Sequence, residues 1–136
     1  MIKHMNNFDL DFEFGTIHEE KLEKILRGNK VEVKTERLDW QETGNIAIEI
    51  KYYGKDSGLC ATDADYWFHL LTDSNGKIAG GFFFPVPELR KMVRNLVSAG
   101  LASVVKGGDN NASTLVLVPI CRIRRMIMSV TSPGTL

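Results

Sequence analysis

Two short triplets of the sequence combine a glutamate with a lysine two residues later. Glu32 and Lys34 form the first, and Glu49 and Lys51 form the second. Side chains two residues apart on a β-strand share a face, so each glutamate is expected beside its own lysine. If the two strands pair, both carboxylates can converge on one side. Mg²⁺ favours such a place because it takes carboxylate oxygens, water and a substrate phosphate.

The chemistry that this site would support is phosphodiester hydrolysis. A bound metal ion polarises a phosphate and lowers the pKa of a bound water. A lysine beside the ion can position that water or stabilise charge that develops in the transition state. The competing interpretation is structural, because alternating Glu and Lys on the open face of a two-stranded ribbon gives favourable cross-strand pairs. Spacing alone favours the structural interpretation, since short motifs often match by chance.

The strands that carry the triplets are indicated by residue alternation. "KVEVKTE" places Val31 and Val33 on one face and its charged residues on the other. "NIAIEIKYY" does the same with its three isoleucines, as expected for half-buried strands. The intervening "RLDWQETG" has a plausible length for a hairpin connection. We therefore predict that the two strands pair with each other.

A helix is predicted before these strands. "TIHEEKLEKILRG" carries Leu22, Ile25 and Leu26 at helical spacing, which forms an apolar stripe. Thr16 and Glu19 have the spacing of a capping box, so the helix is expected to begin at Thr16. The helix is expected to end at Gly28. The upstream "NNFDLDFEFG" alternates apolar and polar residues, which predicts a short strand or an extended lead-in.

The second half of the chain is predicted to alternate helices and strands. "TDADYWFHLL" is predicted as a helix with an apolar stripe, and "KIAGGFFFPV" as a buried strand. "PELRKMVRNLVSAG" is predicted as a helix, with proline at its start and glycine after its end. "TLVLVPI" is predicted as the last strand. This order predicts an α/β fold, a single domain over residues 1–136 with a central mixed sheet flanked by helices.

Composition narrows the class of protein. The chain has 136 residues, 43% hydrophobic and 25% charged, which is typical of a globular domain rather than a disordered or fibrous chain. No segment has the length and apolarity of a membrane helix, and the first residues do not resemble a signal peptide. A cytoplasmic location is expected by default. Cys60 and Cys121 form no CxxC pair, so neither a zinc site nor a redox motif is indicated, and both are expected to be buried thiols.

Several separated strings resemble the PD-(D/E)xK nuclease superfamily. They are "FEFGTIHEEKLEKIL", "VEVKTE", "GNIAIEI", "GKDSGL" and "TDADYW". The superfamily core is a helix with an acidic residue, then a strand pair with an acid and a (D/E)xK triplet, then a helix. The likeness in layout spans Asp11 to Leu71. These strings and the later "GGDNNAS" also look like a group of small phage-encoded proteins of this type. The resemblance implies a restriction-endonuclease-like core and a host-cell cytoplasmic location.

The resemblance can be carried onto this chain in two registers. In the first, Glu49 and Lys51 belong to the triplet, and Glu32 fills the upstream acid position, where the superfamily usually has an aspartate after a proline. In the second, Glu32 and Lys34 form the triplet, an acid such as Asp11 fills the upstream position, and Glu49 becomes a second metal ligand. Both registers use the two glutamates.

The helix acid of the superfamily has one candidate in this chain. Glu19 borders the apolar stripe of the predicted helix, where it would support a second ion or a water molecule. The capping box with Thr16 explains the same residue equally well.

Further residues are candidates for contact with nucleic acid. Lys55 and Ser57 lie in the glycine loop "GKDSG", directly after the second triplet, and Arg90, Lys91 and Arg94 lie together in "ELRKMVR". Either group can contact phosphates. The alternatives are ordinary turn chemistry for the loop and a solvated helix face for the basic cluster. The formal net charge is zero, whereas proteins that coat DNA are usually basic.

Three functions are compatible with these patterns. The first is a metal-dependent deoxyribonuclease that uses Mg²⁺, or Mn²⁺ in its place, with selectivity for junctions or flaps as one option. Glu32, Glu49 and Glu19 would then hold metal, with Lys51 or Lys34 assisting. The second is a non-catalytic module that keeps the fold and binds nucleic acid or protein. The third is an interaction protein whose charged face is only solvated. A homodimer is one option, since many junction-cutting members of the superfamily are dimers.

Overall fold

The computed structural model describes residues 7–37 and 39–123, with side chains from residue 17 onward in those ranges. The chain divides into two units, one ending at Lys30 and the other beginning at Val31, and each is described by itself. The fold is mixed α/β, as predicted. In the part of the chain that is described, no helix is long and apolar enough to cross a membrane.

The first unit contains one long helix. Helix α1 spans Asn7–Gly28, so the predicted strand or extended lead-in over residues 6–15 is wrong where it is described. An alternating segment without a partner strand leaves its backbone groups unpaired, whereas a helix satisfies most of them locally. Thr16 lies inside α1, so the predicted capping box with Glu19 is also wrong. The end of the helix at Gly28 is confirmed.

The second unit contains two sheets rather than one central sheet. The first sheet has the order β1-β4-β5, where β1 is Val31–Glu36, β4 is Tyr66–Thr72 and β5 is Ile78–Pro85. Strand β1 runs parallel to β4, and β5 runs antiparallel to β4. Strand β5 lies at an edge and is largely exposed, so the prediction that it is buried is wrong. An edge strand of a three-stranded sheet has a neighbour on one side only.

The second sheet is antiparallel and contains the second triplet. Its order is β3-β2-β7-β6, where β2 is Asn45–Tyr52, β3 is Lys55–Asp56, β6 is Ser103–Gly107 and β7 is Ser113–Pro119. Strands β2 and β7 were predicted and are confirmed, whereas β6 was not predicted. Strand β2 pairs with β3 and β7.

The predicted hairpin of β1 and β2 is therefore wrong. The connection contains a short helix, α2, at Asp39–Thr43, and the indole Nε1–H of Trp40 donates to the carbonyl oxygen of Thr72 at 2.8 Å. This bond holds the connection against the end of β4, so the connection is not the tight turn of a hairpin. Each triplet strand consequently belongs to a different sheet.

The segment "TDADYWFHLL" is not the predicted helix: from Tyr66 onward it lies in strand β4, and the residues before Tyr66 belong to no helix or strand. Its apolar residues fit both periods, because Trp67 and Leu71 fall on the buried side in either case. The structure buries His69 between them and leaves Phe68 partly exposed. The aromatic composition favours a strand, and pairing with strands on both sides of β4 satisfies its backbone.

Helix α3, Val86–Ser98, packs its apolar stripe on both sheets, as its sequence period predicts. Pro87 stands in its first turn, and Gly100 follows its end with a φ of +71°, as expected from the end preferences of helices. The core joins this stripe to Ile46 and Ile48 of β2 and to Trp67 of β4. Cys60 and Cys121 are both exposed, so the prediction of buried thiols is wrong.

Candidate functional site

The charged face of β1 is its sheltered face. Val33 points outward with 56% of its surface exposed, whereas Glu32, Lys34 and Glu36 are partly buried. Strand β1 lies at a sheet edge, where inward-pointing charged residues discourage pairing with another chain.

The charged face opens onto a small pocket between the two sheets. Its volume is about 160 Å³. Lys34 and Glu36 of β1, Glu49 of β2, and Trp67 and His69 of β4 contribute to its lining. The pocket thus brings a residue of each predicted triplet together, although their strands do not pair.

Lys34 joins the first triplet to this pocket. Its Nζ lies 2.8 Å from Oε1 of Glu32 and 5.9 Å from the centre of the Trp67 ring, within the range of a cation–π interaction. Glu32 also accepts a long hydrogen bond of 3.5 Å from the hydroxyl of Thr62. Glu32 is not among the residues that line the pocket, but it pairs with Lys34, which does line it.

Glu49 is held by two serine hydroxyls. Ser57 donates to Oε2 at 2.8 Å, and Ser113 donates to Oε1 at 2.7 Å. Hydrogen bonds to an ionised carboxylate are stronger than those between neutral groups. Ser57 was predicted as a phosphate contact, and in the structure its hydroxyl is engaged by Glu49.

A buried hydrogen-bond chain holds Glu36. The indole Nε1–H of Trp67 donates to Nδ1 of His69 at 3.1 Å, and Nε2 of His69 lies 2.9 Å from Oε1 of Glu36. Because indole can only donate, Nδ1 must carry a lone pair and Nε2 must carry the proton. His69, only 2% exposed, is therefore the neutral Nε2–H tautomer and donates to Glu36. The amide of Ala47 donates to the same oxygen, which ties β1 to β2.

Sequence reasoning did not identify Glu36 or His69 as site residues. Glu36 lies on the same strand face as Glu32 and Lys34, so the alternation of β1 could have identified it. His69 could not have been found in this way, because its segment was predicted as a helix.

Lys51 lies in a different environment from Lys34. Its Nζ pairs with Oδ1 of Asp56 at 3.1 Å, although its side chain is 44% exposed, close to the 42% of Lys34. The strand register also shifts between Glu49 and Lys51, and Lys51 is not among the residues that line the pocket. The structure therefore brings Lys34, and not Lys51, to the pocket of Glu49.

The predicted nucleic-acid contacts fall into two groups. Lys55, Lys91 and Arg94 are exposed. Arg90 is partly buried and donates from Nε to the carbonyl oxygen of Leu59 at 3.0 Å and from Nη2 to that of Thr62 at 2.8 Å. These two bonds attach α3 to the segment between β3 and β4.

Glu19 and Asp11 both lie in α1, which belongs to the other unit. Glu19 is exposed, and the side chain of Asp11 lies outside the described part of the chain. Their assignment to the site stays a prediction.

The pocket offers the donors that a hard divalent cation prefers. Glu36 and Glu49 contribute carboxylate oxygens, and Mg²⁺ commonly uses one or two protein carboxylates with water and a substrate phosphate. Among the described side chains, no group of three or more His, Cys, Asp or Glu residues is arranged to hold a metal. Two carboxylates would suit only an ion that keeps much of its water.

Replacement of Glu36 by glutamine is expected to lower the free energy of unfolding by about 1 kcal/mol. The amide oxygen can still accept from His69 and Ala47, but these bonds lose their charge assistance. Urea denaturation measures the difference. Glu42→Gln, at an exposed position of α2, is the control and should change stability by less than about 0.5 kcal/mol. Equal stability of both variants would contradict the role assigned to the Glu36 charge.

Comparison of the chain with family models, with curated proteins and with solved structures finds no match. The function of the pocket must therefore be inferred from the groups that line it, which include two carboxylates, an ammonium group and an imidazole.

Proposed function

We propose that this protein is a metal-dependent deoxyribonuclease that hydrolyses phosphodiester bonds at the pocket between the two sheets. The observation that carries the proposal is the meeting of Lys34, Glu36 and Glu49 in one pocket of about 160 Å³. Two carboxylates suit a magnesium ion, and a lysine beside them suits a phosphate whose negative charge grows during reaction.

Each group has a distinct part in this proposal. Glu36 and Glu49 would hold Mg²⁺, or Mn²⁺ in its place, with Glu32 acting through its ion pair to Lys34. The bound metal would polarise the phosphate and acidify a water molecule. Lys34 would donate to a phosphate oxygen while it stays paired with Glu32, since an ammonium group has three donors. His69 keeps Glu36 in one orientation through its fixed tautomer.

The proposal departs from both registers of the resemblance, because it assigns the second metal-binding carboxylate to Glu36 rather than to Glu32. It takes Lys34 as the assisting lysine, as the second register does. The support for this choice is that Lys34 lines the pocket, whereas Lys51 is paired with Asp56. A restriction-endonuclease-like core, DNA as the partner, a homodimer and the cytoplasm of a phage-infected host belong to the same proposal. Exposed Lys55, Lys91 and Arg94 are available to contact phosphates.

The test is cleavage of a panel of labelled DNAs by the purified chain. Duplex, single strand, flap and four-way junction are each incubated with Mg²⁺, with Mn²⁺ or with chelator. We expect cutting that requires metal and is lost in Glu49→Ala, which serves as the control for contaminating nucleases. RNA in the same panel defines the substrate class.

Two outcomes would overturn the proposal. One is the absence of cutting by a folded native chain with either ion. The other is equal cutting by the native chain and by Glu49→Ala, because the activity would then have another source. Circular dichroism of both proteins establishes that they are folded.

A non-catalytic binding module is the second candidate. It is favoured by the internal pairing of the charged groups: Ser57 and Ser113 already bond both oxygens of Glu49, and Lys34 is already paired with Glu32. A folded chain that binds DNA in a mobility-shift assay without cutting it would favour this candidate.

A further inference from the structure

The carboxylate of Glu49 is held at both of its oxygens by side chains from different parts of the chain. Ser57 precedes the 3₁₀ turn Gly58–Cys60 and donates to Oε2, and Ser113 begins β7 and donates to Oε1. One donor on each oxygen restrains rotation of the planar group. We call this pair of serines the Glu49 clamp.

A glycine lies close to each serine and lets another part of the chain approach it. Gly58 has a φ of +50°, and a Cβ there would overlap the main-chain oxygen of Glu49 and lie 2.8 Å from its carbonyl carbon. Gly108 has a φ of +70°, and a Cβ there would lie 3.1 Å from the hydroxyl of Ser113. Both positions have the left-handed conformation that favours glycine. The loop at Gly58 can therefore lie directly on β2, which brings Ser57 within reach of Glu49.

The clamp leaves Glu49 able to bind something else. An ionised carboxylate has about four lone-pair sites, and two hydroxyl donors use two of them. Each serine has a single O–H, which is directed at Glu49, so neither hydroxyl proton can also be given to a substrate phosphate. The two serines are therefore better placed to orient the Glu49 carboxylate than to contact DNA themselves.

We infer that Ser57 and Ser113 are positioning residues that orient Glu49 as a ligand in the pocket. The inference rests on the proposed function and extends it to two residues outside both triplets. Groups that hydrogen-bond to a metal ligand fix its orientation and its basicity before the metal arrives. The clamp therefore acts on metal affinity and on the reaction step rather than on the affinity for DNA.

The test compares Ser57→Ala/Ser113→Ala with the native chain. Mn²⁺ titration followed by electron paramagnetic resonance is expected to show affinity weaker by about 10- to 100-fold. Cleavage kinetics should show a lower kcat with the KM for DNA nearly unchanged. Ser57→Thr/Ser113→Thr restores both hydroxyls and should recover metal binding, since Ser57 is extended, with a φ of −150°, and Ser113 lies in a strand. Ser74→Ala, in an exposed turn, is the matched control.

The outcomes separate this inference from the proposed function. If the native chain cleaves DNA and the double alanine variant binds Mn²⁺ and cleaves equally well, the clamp inference is wrong and the nuclease proposal stands. If the double threonine variant does not recover the Mn²⁺ affinity and kcat that the double alanine variant loses, the inference is also wrong, because the serines then have a packing role. A native chain that neither binds Mn²⁺ nor cleaves overturns both. If the double variant does not fold, each single alanine variant is measured in its place.

Discussion

Lys34→Met is expected to lower the kcat for DNA cleavage by about 100- to 1,000-fold, which is the usual cost of removing one donor that stabilises transition-state charge. Lys34 lines the pocket with both carboxylates, and methionine keeps most of the length of the side chain but loses the ammonium group and its cation–π contact with Trp67. Lys51→Met is expected to leave kcat within about twofold, because Lys51 is not among the residues that line the pocket. Single-turnover cleavage of the preferred DNA measures both effects.

The charge-conserving variant separates chemistry from folding. Lys34→Arg keeps the positive charge beside Glu32 and should retain more activity than the methionine variant, although arginine places its donors differently. Urea denaturation of all three variants tests whether a loss of stability, rather than of chemistry, accounts for the lower activity. If Lys51→Met loses activity and Lys34→Met keeps it, the other register of the two triplets is correct, and the pocket between the sheets is not the reaction site.

The elements whose buried residues follow one local period could be predicted from the sequence. Strand β2 buries Ile46 and Ile48 on one face, and α3 buries a stripe at helical spacing. In both segments the buried residues follow a single period, so no distant partner is needed to choose between helix and strand. The two triplets were placed on strands for the same reason, and both do lie on strands.

The parts that depend on distant partners could not be predicted. Strand β4 buries His69, and a buried histidine is tolerated there because Glu36 and Trp67 satisfy both ring nitrogens. Glu36 lies 33 residues away along the chain, and no local pattern reports such a contact. The same holds for the parallel pairing of β1 with β4, which replaced the expected hairpin. The two triplet glutamates were consequently expected on paired strands, whereas their strands belong to different sheets.

Gly58→Ala is expected to lower the free energy of unfolding by about 3 kcal/mol, through the cost of a left-handed conformation and through overlap with fixed backbone atoms. The overlap involves the carbonyl group of Glu49 in β2, which cannot rotate away because it belongs to a paired strand. The melting temperature should fall by roughly 10 °C. Calorimetry or thermal circular dichroism measures the change.

Gly54→Ala is the matched control, because Gly54 also has a positive φ, +78°, but a Cβ there meets nothing within 4 Å. Its cost should be about 1 to 2 kcal/mol, which is that of the conformation alone. The difference between the two variants therefore measures the contact of the loop with β2. Equal losses of stability in Gly58→Ala and Gly54→Ala would mean that the loop can move away from Glu49 at no cost in free energy. Because Ser57 is carried by this loop, a displaced loop in Gly58→Ala should also weaken Mn²⁺ binding, whereas Gly54→Ala should bind Mn²⁺ as the native chain does.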